Sequence, residues 1–183
     1  MAVAGVGFLG GVILVLSLAS TEYSPITQVA SDYGVGAYAP EMNAGFFLAG
    51  VGVVSLAVGI LLSDRSRAGR VGAGWLLAAG LALLTNAFFQ TDIEGAASTV
   101  HGTIHGLAGV VFFVASPVGV LLYSRGAGGR RFLLTFAAFV AGYAFVVMGA
   151  ATRLDINGLS ERIVILVVFV SLVLTAARVY SEA

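Results

Sequence analysis

The chain contains no cysteine and no lysine. The first absence excludes disulfides, thiolate metal sites, cysteine nucleophiles and covalent c-type haem attachment. The second leaves every basic charge on arginine and is read as GC-rich coding rather than mechanism. Charge of either sign is scarce: a soluble domain carries about a quarter charged residues, whereas only 10% are charged here and the net charge is zero. That balance neither recruits nucleic acid nor makes a polybasic lipid-binding tail. No Gly-x-Ser-x-Gly elbow and no phosphate-binding glycine loop occurs, so no local motif marks a serine nucleophile or a nucleotide site. What remains is apolar: 59% of the residues are hydrophobic, the composition of a bilayer resident.

A helix needs about 20 mostly apolar residues to span a bilayer. Six stretches qualify, at about residues 4–20, 44–63, 71–89, 103–123, 132–150 and 163–180. They predict an all-α, six-transmembrane-helix bundle, a single domain over residues 1–183. The first stretch lacks a preceding basic residue, and Ala19-Ser20 makes a poor cleavage site, so it reads as a spanning helix rather than a signal peptide. Arg65, Arg67 and Arg70 fall between helices two and three, and Arg125, Arg130 and Arg131 between four and five. Arg178 ends helix six, while the other side has Arg153 and Arg162 alone. The positive-inside rule then places both termini in the cytoplasm of a cell-membrane protein, with short inner loops and a long first outer loop.

The acids follow the opposite asymmetry: only Asp64 and Glu182 lie on the inner side. The helix interiors carry no ionisable group other than tyrosines such as Tyr143, which disfavours a pump or an ion-coupled transporter. Polar chemistry therefore pools at the outer boundary. The first outer loop, Thr21–Asn43, holds Tyr23, Pro25, Asp32, Tyr33, Tyr38 and Pro40; it is either a lid or binding loop, or an interfacial aromatic cap. Small residues predict close helix packing, with Gly102, Gly106 and Gly109 against Gly7, Gly10 and Gly11 or against Ala78, Ala79 and Gly80.

His101 and His105 are the only histidines and stand four residues apart, a spacing that puts both imidazoles on one helical face. Ser98 or Thr99 is a suitable N-cap for that helix. Its positive dipole end favours neutral rings, the form that binds metal or accepts a proton. With Asp92 as a third ligand, and Glu94, Asp32 or water completing the set, the pair forms a candidate site for a zinc-like divalent metal able to activate water. Asp32, Asp92 and Glu94 are the candidate catalytic carboxylates. The alternative is structural: interfacial histidines that hydrogen-bond a neighbouring loop or cap. Asn86 and Gln90 share a face near the end of helix three and point to hydrogen bonding between helices. Asp92-Ile93-Glu94-Gly95 is echoed by Asp155-Ile156-Asn157-Gly158, the turn chemistry of two hairpins.

Four segments carry a resemblance: Ser31-Asp32-Tyr33-Gly34, Phe89-Gln90-Thr91-Asp92, His101-Gly102-Thr103-Ile104-His105 and Gly158-Leu159-Ser160-Glu161-Arg162. In these the chain resembles a prokaryotic family of small six-helix membrane proteins, catalogued as a domain of unknown function, number nine hundred and ninety-eight. The resemblance spans nearly the whole chain and implies the six-helix fold and the outer cluster without supplying a reaction. Members usually have proline near the aspartate of the third outer turn, where this chain has Ile93, Glu94 and Gly95. A looser likeness is to the ceramidase and adiponectin-receptor type of zinc hydrolase, whose additional histidine this chain lacks.

Two functions are expected from these features. One is a lipid- or small-molecule-binding protein or accessory subunit, with no certain cofactor and with membrane lipids, a second copy or a larger membrane complex as partners. The other is a metal-dependent hydrolase or transferase acting on a lipophilic substrate through His101, His105 and Asp92.

Overall fold

Backbone N–H and C=O groups must be satisfied internally in hydrocarbon, so apolar runs of spanning length fold as helices. The computed structural model describes residues 1–93, 96–125, 129–152 and 154–182, with the backbone alone at 129, 131 and 182. The described residues form α1 (Ala2–Ala19), α2 (Ala39–Ser63), α3 (Arg67–Phe88), α4 (Val100–Ser124), α5 (Gly129–Thr152) and α6 (Asn157–Glu182). All six are long and apolar enough to cross a membrane. Two short 3-10 turns, Ala30–Gly34 and Gly36–Tyr38, occupy the connection between α1 and α2.

Several helices start before their apolar runs do, because a helix begins where its first amides find acceptors rather than where hydropathy rises. Pro40 sits in the first turn of α2, where its missing N–H costs nothing; the helix therefore begins at Ala39, five residues ahead of the sequence expectation. At α3, the Ser66 hydroxyl accepts from Gly69 N–H at 2.9 Å, which caps the helix ahead of Arg67. The start of α6 differs most. Gly158 and Leu159 donate to the carbonyls of Thr27 and Ile26 at 3.2 and 2.9 Å, so the connection after α1 caps this helix from outside. Ser160, Glu161 and Arg162 are thereby helical, although hydropathy had excluded them.

The core is built mainly by α1, α2, α3, α4 and α6, with Leu9, Ile60, Leu76, Leu83, Val120 and Leu172 among its buried side chains, and α5 adds Phe139. Leucines such as Leu14, Leu18, Leu62 and Leu174 point outward, the dress of a lipid-facing surface. Of the small residues expected to pack closely, Gly80 lies at a close helix crossing, and the other close crossings lie at glycines outside that set. Gly50 meets Leu84 and Gly80 meets Val54 where α2 crosses α3, with 2.8 Å from an added Cβ in each case. Gly72 and Gly119 face each other where α3 crosses α4, and a Cβ added to either would lie within 3 Å of the other's carbonyl oxygen. A Cβ on Gly7, Gly11, Gly106 or Gly109 would meet nothing within 4 Å, so these expected packing positions are open. Glycine spacing identifies a smooth helix face without saying whether a partner helix or a void lies against it.

α5 lies at the periphery, touching α6 and to a lesser extent α4. Among the described residues, one polar side-chain contact ties it down. Pro117 lies inside α4 and offers no N–H to the carbonyl four residues back. That carbonyl, of Phe113, accepts instead from the Tyr143 hydroxyl of α5.

Candidate functional site

The polar residues gather at the end of the bundle that carries the connection from Ser20 to Tyr38, and they form two docked corners. At the first, α3 turns into α4. Thr99 donates to Asp92 twice, from its amide at 2.8 Å and its hydroxyl at 2.7 Å. The same hydroxyl accepts from Gly102 N–H at 3.0 Å, capping α4. These bonds, the amide first and the hydroxyl second, hold the Asp92 carboxyl below its usual range, with a smaller contribution from His101. A Cβ at Gly102 would lie 2.0 Å from an Asp92 oxygen, so the glycine admits the carboxylate. His105 is buried, its Nδ1 2.7 Å from the Phe89 carbonyl that ends α3. A carbonyl only accepts, so Nδ1 carries the proton and Nε2 is the acceptor of the neutral ring. His101 is exposed and lies against the Phe89 ring, centroids 5.2 Å apart.

At the second corner α6 grips the α1–α2 connection. Arg162 donates to Ser17 Oγ at 3.0 Å, to the carbonyls of Gln28 and Gly158 at 2.7 and 3.0 Å, and to the Tyr33 hydroxyl at 3.4 Å. Its guanidinium also lies over the Tyr33 ring, 5.7 Å from the centroid. Tyr33 is fully buried and meets Tyr23 edge-on at 5.5 Å. Glu161, partly buried, accepts from Ala30 N–H. A Cβ at Gly158 would lie 2.1 Å from the Gln28 carbonyl oxygen, which requires glycine there.

Beneath this roof is a cavity of about 390 Å³, walled by apolar side chains from α1, α2, α3, α4 and α6, among them Ile13, Phe46, Leu83, Phe112 and Phe169. Five polar residues line it: Asn86, His105 and Glu161 from three helices, and Ser31 and Thr91 from the connections. Asn86 is 4% exposed and its Oδ1 has no hydrogen-bond partner among the described residues. The Phe46 ring stands edge-on to His105 with centroids 5.7 Å apart. Along α4 the lining continues through Gly106, Val110 and Val114; the two valines are 62% and 51% exposed, so the cavity opens on the flank of the bundle. A second cavity, of about 500 Å³, adjoins it and is lined by Asp32, Asp92, Ser160 and Tyr143 among others. Val29, Thr91, Phe113 and Glu161 line both.

The candidate residues are thus distributed rather than clustered. His105 faces the first cavity, Asp32 and Asp92 the second, and His101 the surface beside Phe89. Glu94 and Arg153 lie outside the described residues. Among the described residues no three histidine, aspartate or glutamate side chains stand close enough to hold a metal ion. The partner of His105 is the carbonyl of a helix end, the structural role set out as one alternative. Asn86 looks into the cavity with His105, whereas Gln90 is exposed because α3 has ended by Phe88. Glu161 and Arg162 were not singled out as site residues. Their signal was two adjacent charges just before an apolar run, which reads equally well as a solvated helix start.

The four sequence segments that carry the resemblance are the ones that dock: Ser31–Gly34 beside Gly158–Arg162, and Phe89–Asp92 beside His101–His105. A family model described as "Protein of unknown function (DUF998)" matches residues 2–178. No curated protein and no solved structure matches the chain.

Proposed function

The chain belongs to the DUF998 family, and we propose that it is a cell-membrane protein, both termini cytoplasmic, that binds a lipophilic small molecule entering from the bilayer. The observation that carries this reading is the apolar cavity holding Asn86, His105 and Glu161 and opening beside Val110 and Val114 of α4. Ligand sites of this kind are apolar clefts of roughly 300–1,000 Å³ with a few polar groups that orient the guest. An opening on a lipid-facing flank suits a guest that partitions into the membrane. The connection from Ser20 to Tyr38 roofs the cavity through Val29, Ala30 and Ser31, supporting its role as a binding loop as well as an aromatic cap. Bilayer lipids are the nearest source of such a guest.

The test is to fill the cavity from a side that has room. An added Cβ at Gly109 meets nothing within 4 Å, so Gly109→Leu should fold normally and occupy the space. Mass spectrometry of lipophiles extracted from the purified protein should show a species retained by the wild type and depleted in Gly109→Leu. Identical extracts from two equally folded proteins would remove the binding reading. A metal-dependent hydrolase or transferase using His101, His105 and Asp92 has less support, since His105 faces the first cavity, Asp92 faces the second and is bonded to Thr99, and His101 lies at the surface beside Phe89. It requires near-stoichiometric metal in the purified protein, lost on His101→Ala/His105→Ala substitution.

A further inference from the structure

From the polar atoms that face the first cavity we infer the head group of the guest: a neutral group that both donates and accepts a hydrogen bond, of which a hydroxyl is the simplest, seated on Asn86. The inference rests on the binding reading above. Asn86 is 4% exposed, and its Oδ1 has no partner among the described residues. A buried acceptor of this kind costs free energy until a donor reaches it. The amide nitrogen of the same side chain carries two N–H donors, so one residue offers both halves of a hydrogen-bonded pair at one place on the wall.

The neighbouring polar groups have the same mixed character. His105 commits its Nδ1 proton to the Phe89 carbonyl, and the Phe46 ring stands edge-on to the imidazole. These two contacts fix the ring and leave Nε2 as an acceptor. Ser31 and Thr91 add hydroxyls to the lining, and each can donate as well as accept. The one carboxylate, Glu161, takes Ala30 N–H and interacts with the charge of Arg162. Its charge is answered within the protein, so the guest need supply none.

Head groups differ in how they meet this lining. A carboxylate or an ether oxygen only accepts and would leave Asn86 Oδ1 without a donor. An ammonium only donates, and moving it out of water into a lining whose acid already has a counter-charge is costly. A hydroxyl has one O–H donor and two lone pairs, and no charge has to be desolvated. A site built to bond a hydroxyl discriminates against an analogue lacking it, because the buried polar groups are then left unpaired. The head therefore belongs at Asn86, and the chain runs along the apolar wall toward the opening beside Val110 and Val114.

A series of dodecanol, its isomer methyl undecyl ether, dodecylamine and dodecanoate tests this directly. Each is titrated at neutral pH into the full chain in phosphatidylcholine nanodiscs and corrected for partitioning into empty nanodiscs. The same titrations use Gly109→Leu, which fills the cavity, and Asn86→Leu, which removes the polar anchor and retains an apolar side chain. The expected result is dodecanol binding roughly tenfold tighter than the ether, the amine or the carboxylate. Gly109→Leu should abolish binding, and Asn86→Leu should bring the alcohol and the ether to parity. Ether, amine or carboxylate binding as tightly as the alcohol, still blocked by Gly109→Leu, would overturn the head group and leave the cavity reading standing. A preference for alcohol over ether that survives Asn86→Leu would overturn the seat on Asn86. If no member of the series shows binding sensitive to Gly109→Leu, the cavity reading falls and the head group falls with it.

Discussion

Single residues at the polar end include both an acceptor with no partner among the described residues and one that is satisfied twice. Asn86 is the first: a buried amide oxygen without a partner costs about 1–3 kcal/mol. Asn86→Leu should therefore raise the stability of the ligand-free protein by an amount of that order, measured by unfolding in mild detergent, while weakening retention of the lipophile. Asp92 shows the opposite arrangement, since Thr99 satisfies it twice. Its lowered pKa gives the sign of a pH effect. The carboxylate stabilises the α4 cap above the ordinary unfolded value of about 3.9. That contribution is lost as the pH falls through the lower folded value. The wild type should thus lose stability in that acid range more steeply than Asp92→Asn. Gly102→Ala should be harmful in the wild type, where the new Cβ meets Asp92, and nearly neutral in an Asp92→Ala background.

At the scale of elements, two contacts hold the less tightly packed parts to the bundle. Arg162 joins α6 to α1 and to the roof of the cavity through Ser17, Gln28 and Tyr33. Replacing it with alanine should destabilise the docked roof by about 2 kcal/mol, in the range of a hydrogen bond to a charged group. Hydrogen exchange at residues 26–34 should rise accordingly. Lysine should rescue little, because it lacks the planar fork that reaches several oxygens at once. The second contact depends on a helix defect. Pro117 frees the Phe113 carbonyl, and Tyr143 fills the gap from α5. Tyr143→Phe should cost about 1 kcal/mol in the wild type and close to nothing in Pro117→Ala, where the helix supplies its own donor. A double-mutant cycle on unfolding free energy reads that coupling.

For the whole molecule, the distribution of charge and the placement of the helices set its orientation and its free surfaces. The connection that carries Arg65 and the acidic, histidine-bearing end lie at opposite ends of the bundle, and the orientation proposed above puts the first in the cytoplasm. Since the chain has no cysteine, single cysteines report cleanly. Glu22→Cys should react with an impermeant maleimide in intact cells, and Arg65→Cys only after permeabilisation. The reverse pattern would invert the topology and place the cavity roof in the cytoplasm.

Composition and hydropathy alone determined that the chain is helical and apolar enough to cross a membrane six times, because an apolar run in lipid has one economical backbone solution and its length is readable residue by residue. The N-cap at Thr99 was legible for the same reason: capping depends on atoms only a few residues apart. The candidate site was half legible. His105 and Asn86 could be placed on helical faces by their spacing, and both face the cavity. Glu161 and Arg162 could not be assigned, since their partners Ala30, Gln28 and Ser17 lie more than a hundred residues away and only chain docking brings them together. The glycines show the same limit: the spacing of Gly102, Gly106 and Gly109 marked a small surface, but the tertiary structure decided that one admits a carboxylate and the others border a void. Local hydrogen bonding and partitioning are written along the chain, whereas a cavity is a property of which surfaces fail to touch.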